Sequence, residues 1–269
     1  MHFYGLVGEK LSHSLSPKIN TMIFNALNID AGYKLFEIPK TKISELGSAM
    51  KLLDIKGVNV TIPYKQEVMK QLDFIADEAK NIGAVNTILN KDGKLYGYNT
   101  DYFGFKKTLE INDIEVENKV VVVLGNGGAA KALNQVFIDM KAANIYLVTR
   151  HKDNACKLNP KIKLIDYNEL KEISGDILVN ATPVGMYPNV GISPVDEEVI
   201  NKFNSIIDIV YNPKMTEFLK IGKKLNKKIC GGLYMLVGQA IKSEEIWQNT
   251  NIDKSILNDI YKKIENEFK

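Results

Sequence analysis

The chain has 269 residues, a formal net charge of +3 at neutral pH, 45% hydrophobic residues and 25% charged residues. These values are ordinary for a globular protein, and the length allows two modest domains with a sizeable buried core. The small net charge, with no basic run interleaved with aromatic residues, argues against a nucleic-acid partner. No apolar run is long enough to span a membrane, and the N-terminus lacks the pattern of a signal peptide.

The two cysteines of the sequence, Cys156 and Cys230, have neither metal-ligand spacing nor the pattern of a disulfide framework. We therefore expect no bound metal and a reducing, cytoplasmic location. We also expect a small-molecule substrate as partner, rather than nucleic acid or membrane. The sequence leaves both a monomer and a homodimer open.

The first hundred residues alternate between strand and helix patterns. Strands are predicted at residues 3–7, 34–38, 57–62, 84–89 and 94–98, with the turn Lys91-Asp92-Gly93 between the last two. Helices are predicted to begin at Pro17, with Ser16 as the N-cap, and to cover residues 43–53 and 63–81. This order predicts an α/β domain.

The second half opens with a strand, a glycine turn, a helix and a strand in direct succession. Residues 120–124 form a continuous apolar run, typical of a strand buried on both faces of a parallel sheet. Further strands are predicted at residues 144–149, 163–165, 176–180 and 206–209. Residues 233–247 and 253–268 have helical patterns and are expected to pack back on the first domain.

The glycine turn predicts a nucleotide site. The run Gly125-Asn126-Gly127-Gly128-Ala129-Ala130 fits G-x-G-x-x-[GA] and lies between a strand and a helix, as that pattern requires. Its glycines permit a tight turn and close approach of the backbone to a pyrophosphate. The free N–H groups at the start of the helix then attract the phosphates.

The end of the next strand indicates which dinucleotide is bound. NAD sites place an acidic residue there for the ribose hydroxyls, whereas this chain has Thr149, Arg150 and His151. An arginine at this position suits a 2′-phosphate through a charge-assisted contact. We therefore predict NADP(H) as the cofactor, with an unengaged surface charge as the alternative for Arg150.

Polar residues gather at strand ends and loop-to-helix junctions in the first half. They are Ser14, Ser16, Asn59, Thr61, Lys65, Asn86, Thr100 and Asp101. Hydroxyl and amide groups suit a small polyhydroxylated acid, and Lys65 with Asp101 supplies a titratable pair able to move a proton. The pattern alone also fits Ser16 and Asp101 as helix caps and Lys65 as a solvated lysine.

Eight motifs follow one another along the chain: SHSLSP (12–17), GVNVTIPYK (57–65), GAVNT (83–87), GYNTDYFG (97–104), the glycine turn, NATPVGM (180–186), DIVYNP (208–213) and GLYMLVGQA (232–240). On these motifs the chain resembles the shikimate dehydrogenases over nearly its whole length. So many motifs in one order make the resemblance specific.

The resemblance implies NADPH-dependent, reversible reduction of 3-dehydroshikimate to shikimate in aromatic amino acid biosynthesis. It implies an α/β fold of two domains. The first is a substrate domain with a mainly parallel sheet at residues 1–100, completed by C-terminal helices at 236–269. The second is a Rossmann-like NADP domain at residues 101–235.

The resemblance also implies residue roles by position. Lys65 is the implied catalytic residue, paired with Asp101, and either of the two is open as the group that transfers the proton. Ser14 and Ser16 are expected to hold the substrate carboxylate. Ring hydroxyls are expected to be bound by Asn59, Thr61, Asn86, Asp101 and Gln239, with Tyr211 nearby. The implied cofactor contacts are Gly125, Asn126, Gly127, Gly128, Ala129, Thr149, Arg150, His151, Thr182 and Gly232.

Some positions depart from the usual pattern of the family. Asn126 stands where an alanine is common, and Pro183 where a serine is common. Thr149 and His151 flank Arg150 where the family commonly has asparagine and threonine. Because Arg150 is kept and no acidic residue replaces it, NADP remains favoured.

Two other functions are compatible with the fold. A quinate/shikimate dehydrogenase, often NAD-linked, is disfavoured by the intact pair Ser14 and Ser16 and by Arg150. A catalytically silent homologue that binds NADP or shikimate as a sensor would be expected to lose Lys65 or Asp101, and both are present.

Overall fold

A computed structural model of the protein describes residues 1–11, 14–150 and 159–268. Among the positions singled out above, Ser12, His13, His151 and Cys156 lie outside the described residues. The chain packs into two compact units, one of Met1–Gly104 with Val237–Ile264 and one of Phe105–Leu236 with the residues from Glu265 onward.

Within the described residues the strands form two six-stranded sheets. The strands are β1 His2–Gly8, β2 Ala31–Glu37, β3 Gly57–Val60, β4 Phe74–Ile75, β5 Thr87–Lys91, β6 Lys94–Tyr98, β7 Val120–Leu124, β8 Asn144–Val148, β9 Ile162–Ile165, β10 Ile177–Asn180, β11 Ser205–Asp208 and β12 Lys228–Cys230. The first sheet has the order β2-β1-β3-β5-β6-β4, and the second has the order β12-β11-β10-β7-β8-β9.

Helices connect most of these strands, which confirms the α/β class. They are α1 Ser16–Ala26, α2 Leu46–Leu52, α3 Asp77–Ile82, α4 Thr100–Ile111, α5 Gly128–Asp139, α6 Tyr167–Leu170, α7 Glu197–Asn201, α8 Glu217–Lys224, α9 Leu233–Gln248 and α10 Lys254–Glu265. Short 3₁₀ turns occupy Ile43–Glu45, Glu67–Gln71 and Asn266–Phe268. In the part of the chain that the structure describes, no helix has the length and apolar character needed to cross a membrane.

The first sheet is mixed but mainly parallel. Strand β1 runs parallel to β2 and β3, and β4 runs parallel to β6, whereas β5 is antiparallel to both β3 and β6. Asp92 and Gly93 join β5 to β6 with φ values of 52° and 73°. Two consecutive left-handed residues give the tight turn whose twist matches that of the flanking strands. The predicted hairpin is thereby confirmed.

The second sheet is parallel throughout its described pairs. Its central strand β7 is buried on both faces, with residues 121–124 fully inaccessible to solvent, as the apolar run predicts. The chain proceeds from β7 to β8 and β9 on one side and then returns to β10 on the other. The carboxyl ends of β7 and β10 therefore form the switch point where open α/β sheets bind their ligands.

The predicted helix over residues 63–81 is wrong. The segment instead contains the 3₁₀ turn Glu67–Gln71, strand β4 and the short helix α3. The Asp73 N–H donates to the carbonyl of Leu95, and the Ala76 N–H donates to the carbonyl of Gly97, each at 2.9 Å. Because β6 takes these backbone groups, a continuous helix cannot form, and tertiary pairing prevails over local pattern.

The predicted N-cap at Ser16 is also wrong, and so is the alternative role of Asp101 as a helix cap. Helix α1 begins at Ser16 itself, after Leu15, and no side chain caps its N-terminus. Helix α4 begins at Thr100, and the side-chain oxygen of Asn99 accepts the N–H of Tyr102 at 3.3 Å. Asp101 therefore lies within the first turn of α4 and is not needed as its cap.

The C-terminal helix α9 packs on the first sheet, as predicted. Trp247 donates its indole N–H to the carbonyl of Ile88 at 3.0 Å, and its ring stacks on Tyr4 with 4.9 Å between centroids. A side chain at Gly57 would place its Cβ 2.3 Å from the Trp247 Nε1 atom. Glycine in β3 therefore permits the close approach of this helix.

Candidate active site

Lys65 and Asp101, the predicted catalytic pair, form an ion pair in the first unit. Lys65 Nζ lies 2.5 Å from Asp101 Oδ2, and the two side chains are only 14% and 11% exposed. Lys65 belongs to the loop that follows β3, and Asp101 to the start of α4, directly after β6. The pair places an ammonium and a carboxylate together where little water competes for them, which suits proton transfer to a bound molecule.

Backbone hydrogen bonds hold this pair beside Asn86. The carbonyl of Lys65 accepts the N–H of Val85 at 2.8 Å, and the N–H of Val60 donates to the carbonyl of Asn86 at 2.8 Å. The side-chain oxygen of Asn86 accepts the N–H of Thr100 at 2.7 Å. The loop that carries Lys65 and the helix start that carries Asp101 are therefore fixed to the same short segment.

A buried polar cluster supports this segment. We define it as Asn59, Asn86, Thr87, Thr100 and Ser243, each 4% exposed or less. The Thr87 hydroxyl lies 3.1 Å from that of Thr100 and 3.0 Å from that of Ser243. Since buried polar groups are stable only when hydrogen-bonded, each member restricts the others to one arrangement.

Asn59 and Asn86 differ in what they can offer to a ligand. Asn59 Nδ2 donates to Thr87 at 3.0 Å and to Ser243 at 2.8 Å, so both amide hydrogens are used inside the cluster. Asn86 instead uses its side-chain oxygen internally, where it accepts from Thr87 and Thr100, and these bonds leave its Nδ2 unengaged. Asn86 is therefore the better placed of the two to donate to a bound molecule.

Ser14 and Ser16 connect to the buried polar cluster through Tyr33. The Ser14 hydroxyl oxygen accepts the N–H of Ser16 at 3.2 Å. The Ser16 side chain lies beside the hydroxyl of Tyr33 and lowers its pKa, and that hydroxyl donates to Asn59 Oδ1 at 2.8 Å. Burial raises the pKa of Tyr33 well above its usual value, with a smaller contribution from the charge of Glu244, so the hydroxyl stays neutral.

Two other predicted substrate residues also belong to the first unit. Gln239 on α9 places its Oε1 atom 3.5 Å from the Thr100 hydroxyl, and its backbone carbonyl accepts from Ser243 at 2.9 Å. Thr61 directly follows β3, where its N–H donates to the carbonyl of Val7 at 2.9 Å. Both side chains are half-buried.

The second unit holds the glycine turn between β7 and α5. Gly125 has φ of +97°, and a Cβ there would lie 2.7 Å from Thr182 Cγ2. Gly127 is the N-cap of α5, whose N-terminus is capped by no side chain. A Cβ on Gly127 would meet nothing within 4 Å. The first N–H groups of α5, from Gly128 and Ala129, are therefore open to an anion, which fits the pyrophosphate of a dinucleotide.

Thr149 and Arg150 follow β8, the neighbour of β7. The N–H of Thr149 donates to the carbonyl of Ile165 at 3.1 Å, which ties the strand end to β9. Arg150 is exposed, and its positive charge acts on the Tyr167 hydroxyl. An exposed guanidinium at this strand end fits a 2′-phosphate.

A second polar network holds the loop after β10. Thr182 donates its hydroxyl to Asn180 Oδ1 at 2.6 Å, and Asn180 Nδ2 donates to Asp208 Oδ1 at 3.0 Å. The other carboxyl oxygen of Asp208 accepts the Thr216 hydroxyl at 2.7 Å. Burial raises the pKa of Asp208 to about 6, against the opposing effect of its hydrogen bonds. Thr182 is thereby fixed beside the glycine turn.

Gly232 and Tyr211 also belong to the second unit. A Cβ on Gly232 would lie 2.1 Å from the carbonyl oxygen of Ile209, so the chain after β12 packs directly on the end of β11. Tyr211 follows two residues later in the β11 loop and is half-buried, and burial raises the pKa of its hydroxyl.

Comparison with known proteins identifies the family. Residues 6–88 match the model of the shikimate dehydrogenase substrate binding domain. The chain is 58% identical over 270 residues to a shikimate dehydrogenase (NADP(+)) of Clostridium beijerinckii, with 100% of both chains covered. The chain belongs to the shikimate dehydrogenase family.

Solved structures of this family share the fold. A crystal structure of shikimate dehydrogenase 1 from Peptoclostridium difficile is 60% identical, with a TM-score of 0.95, and the match covers 100% of this chain and 99% of that one. The shikimate 5-dehydrogenase of Thermus thermophilus, solved with NADP(H) and shikimate, is 28% identical with a TM-score of 0.88 over 98% of this chain and 99% of that one.

Sequence reasoning missed Tyr33, Glu244 and two members of the buried polar cluster, Thr87 and Ser243. Tyr33 looks like an ordinary strand residue, and Thr87 follows Asn86 without a pattern of its own. The one available signal is the spacing of Ser243, which lies four residues after Gln239 and hence on the same face of α9.

Proposed function

We propose that the protein catalyses the NADPH-dependent, reversible reduction of 3-dehydroshikimate to shikimate, a step toward the aromatic amino acids. The observation that carries this proposal is the largely buried contact of Lys65 with Asp101 at 2.5 Å. It occurs in a chain that is similar over its whole length to an NADP(+) shikimate dehydrogenase. A free and buried Cys230 is in keeping with the cytosol as the proposed location.

Lys65 is the proposed proton donor. Its ammonium stabilises the negative charge that grows on the carbonyl oxygen and then transfers a proton to that oxygen. In the oxidative direction, the neutral amine takes the proton from the substrate hydroxyl. NADPH, when bound, supplies the hydride that adds to the ketone carbon.

Asp101 and the amides orient the substrate in this proposal. Asp101 holds Lys65 in place and accepts a hydrogen bond from a ring hydroxyl. Asn86, Thr61 and Gln239 bind the remaining ring oxygens, and this role is supported for Asn86 because its internal side-chain bonds use only its oxygen. Asn59 is proposed to support these residues without binding the substrate through its amide hydrogens, because both are engaged by Thr87 and Ser243.

The substrate carboxylate and the phosphates of the cofactor are proposed to be bound by different kinds of group. Ser14 and Ser16 are proposed to donate hydrogen bonds to the substrate carboxylate, and Tyr211 to lie near the ring. The cofactor is proposed to lie on the segment 125–129, with Thr182 and Gly232 alongside. Arg150, with Thr149 and His151, is proposed to receive the 2′-phosphate, since an exposed guanidinium forms bidentate contacts with phosphate.

The deciding experiment measures cofactor oxidation by the purified protein with 3-dehydroshikimate, comparing NADPH with NADH. The reverse reaction is measured on shikimate and on quinate. We expect strong preference for NADPH and for shikimate. Faster turnover of NADH and quinate would assign the protein to the quinate branch, and binding of NADPH and shikimate without turnover would assign it as a sensor.

A further inference from the structure

Helix α9 carries a buried carboxyl group that the proposed reaction does not use. Glu244 has none of its surface exposed, and its Oε2 atom accepts a hydrogen bond from Gln248 Nε2 at 3.0 Å. Its Oε1 atom is buried with no hydrogen-bond partner in the described part of the chain. Full burial, with only one of the two carboxyl oxygens hydrogen-bonded, strongly disfavours the charged form of this group.

Glu244 lies next to the residues that lead to the serine pair. It directly follows Ser243, a member of the buried polar cluster. The titratable groups that face it from the neighbouring strands are Tyr4 of β1 and Tyr33 of β2, and its charge raises the pKa of both hydroxyls. Tyr33 donates to Asn59, which donates to Ser243 directly before Glu244. Because the Ser16 side chain lies beside the Tyr33 hydroxyl and lowers its pKa, one side chain separates Glu244 from the proposed carboxylate subsite.

We propose that Glu244 is a positioning residue that stays protonated so that the subsite of Ser14 and Ser16 accepts an anionic substrate, and that its ionisation weakens binding of that substrate. The inference rests on the proposed function, which supplies the carboxylate of the substrate. Glu244 acts through Tyr33 and through its electric field, and it does not touch the reacting atoms.

The direction of the effect follows from burial. Burial raises the pKa of Glu244 from 4.5 to about 8, although the hydrogen bond from Gln248 opposes this shift. Below that pH the group is neutral, and above it a negative charge faces the substrate carboxylate across a poorly screened interior. Tyr4 and Tyr33 stay neutral in this range because burial raises the pKa of each. The KM for substrate is therefore expected to rise with pH.

The first test compares pH profiles of the wild type, Glu244→Gln and Glu245→Gln. In the wild type we expect the KM for 3-dehydroshikimate to rise about tenfold above pH 8, with a smaller change in kcat. Glu244→Gln cannot ionise and should lack this rise. Glu245→Gln removes a carboxylate from the same helix, where Glu245 pairs with Lys242 at 3.0 Å, and should keep the wild-type profile.

A second readout needs no turnover. An unfolded glutamate ionises near 4.5, whereas folded Glu244 ionises at about 8. The stability supplied by the neutral buried group is therefore fully present below 4.5 and is lost as pH rises to 8. Accordingly, the unfolding temperature of Glu244→Gln relative to the wild type should increase over this range. If the buried amide of the Glu244→Gln variant prevents folding, Glu244→Met, which is apolar and of similar length, replaces it in this measurement.

The outcomes separate this inference from the proposed function. If no substrate is turned over at any pH, the proposed function fails, and the unfolding temperatures still decide whether Glu244 is protonated. If turnover occurs but Glu244→Gln shows the same rise in KM as the wild type, the inference is overturned. A difference in unfolding temperature that does not change with pH overturns it as well.

Discussion

The candidate ligand sites of the two units are built in different ways. In the first, the buried side chains of Asn86, Thr87 and Ser243 fix one another through hydrogen bonds. In the second, the backbone does most of the preparation, because Gly125 adopts φ of +97° and the N-terminus of α5 is left uncapped. The first unit should therefore be damaged by removing side-chain atoms and the second by adding them.

The largest effect is expected from Lys65→Ala in the first unit. We expect kcat to fall by about 10²- to 10⁴-fold, because both proton transfer and charge stabilisation are lost, while KM changes much less. Steady-state kinetics with saturating NADPH measures this. Lys70→Ala, on the exposed side of the turn Glu67–Gln71, is the control that should retain full activity. A near-normal kcat in Lys65→Ala would rule out a catalytic lysine.

Arg150→Ala tests whether the second unit uses any side-chain charge. We expect the preference for NADPH over NADH to fall by about 10- to 100-fold, the usual range for a lost charge-assisted hydrogen bond. The ratio of kcat/KM for the two cofactors measures it. Lys163→Ala removes a positive charge from the exposed face of neighbouring β9 and should leave the ratio unchanged. If both variants lose the preference for NADPH equally, the preference comes from general surface charge and not from a contact of Arg150.

Adding a methyl group to the glycine turn gives the reverse test. Gly127→Ala should fold normally, because a Cβ there meets nothing within 4 Å, but it should raise the KM for NADPH at least about tenfold by obstructing the pyrophosphate. Gly125→Ala should in addition lower stability by about 1–3 kcal/mol, because its φ is positive and Thr182 lies close. Denaturant unfolding measures the effect on stability, and NADPH titration measures the effect on cofactor binding. Normal NADPH affinity in Gly127→Ala would contradict the proposed phosphate site.

The smallest effect is expected from Ser243→Ala in the buried polar cluster. The substitution leaves Asn59 and Thr87 each short of one partner, and we expect a loss of about 1–2 kcal/mol in the free energy of unfolding. Urea unfolding measures this loss, with Ser48→Ala on the exposed face of α2 as the control. Unchanged stability in Ser243→Ala would mean that the cluster is not rigid.

The local sequence pattern is sufficient to predict features that depend on consecutive residues. The glycine turn, strand β7 and the hairpin at Asp92 and Gly93 each follow from a few consecutive residues. The local pattern does not predict strands that form only because residues far apart in the sequence pair with each other. Strand β4 exists because β6 accepts its backbone, and the three-residue edge strand β12 is too short to give a signal of its own.

The candidate site shows the same division. The contact of Lys65 with Asp101 was expected from a resemblance, and the structure brings the two side chains together. The hydrogen bonds of Tyr33 and Ser243 were not predicted, because a tyrosine in a strand and a serine in a helix are common in any core. Their importance depends on contacts between residues far apart in the chain, which no local period reveals.

The return of α9 to the first sheet has a consequence for how the protein is made. Ser243 lies 184 positions after Asn59, and Trp247 lies 159 positions after Ile88. On a ribosome, residues 105–236, which form nearly all of the second unit, emerge before the part of α9 that packs on the first sheet. The proposed substrate site is therefore completed last. Trp247 is the sole tryptophan, so its fluorescence would report when a nascent chain acquires that site.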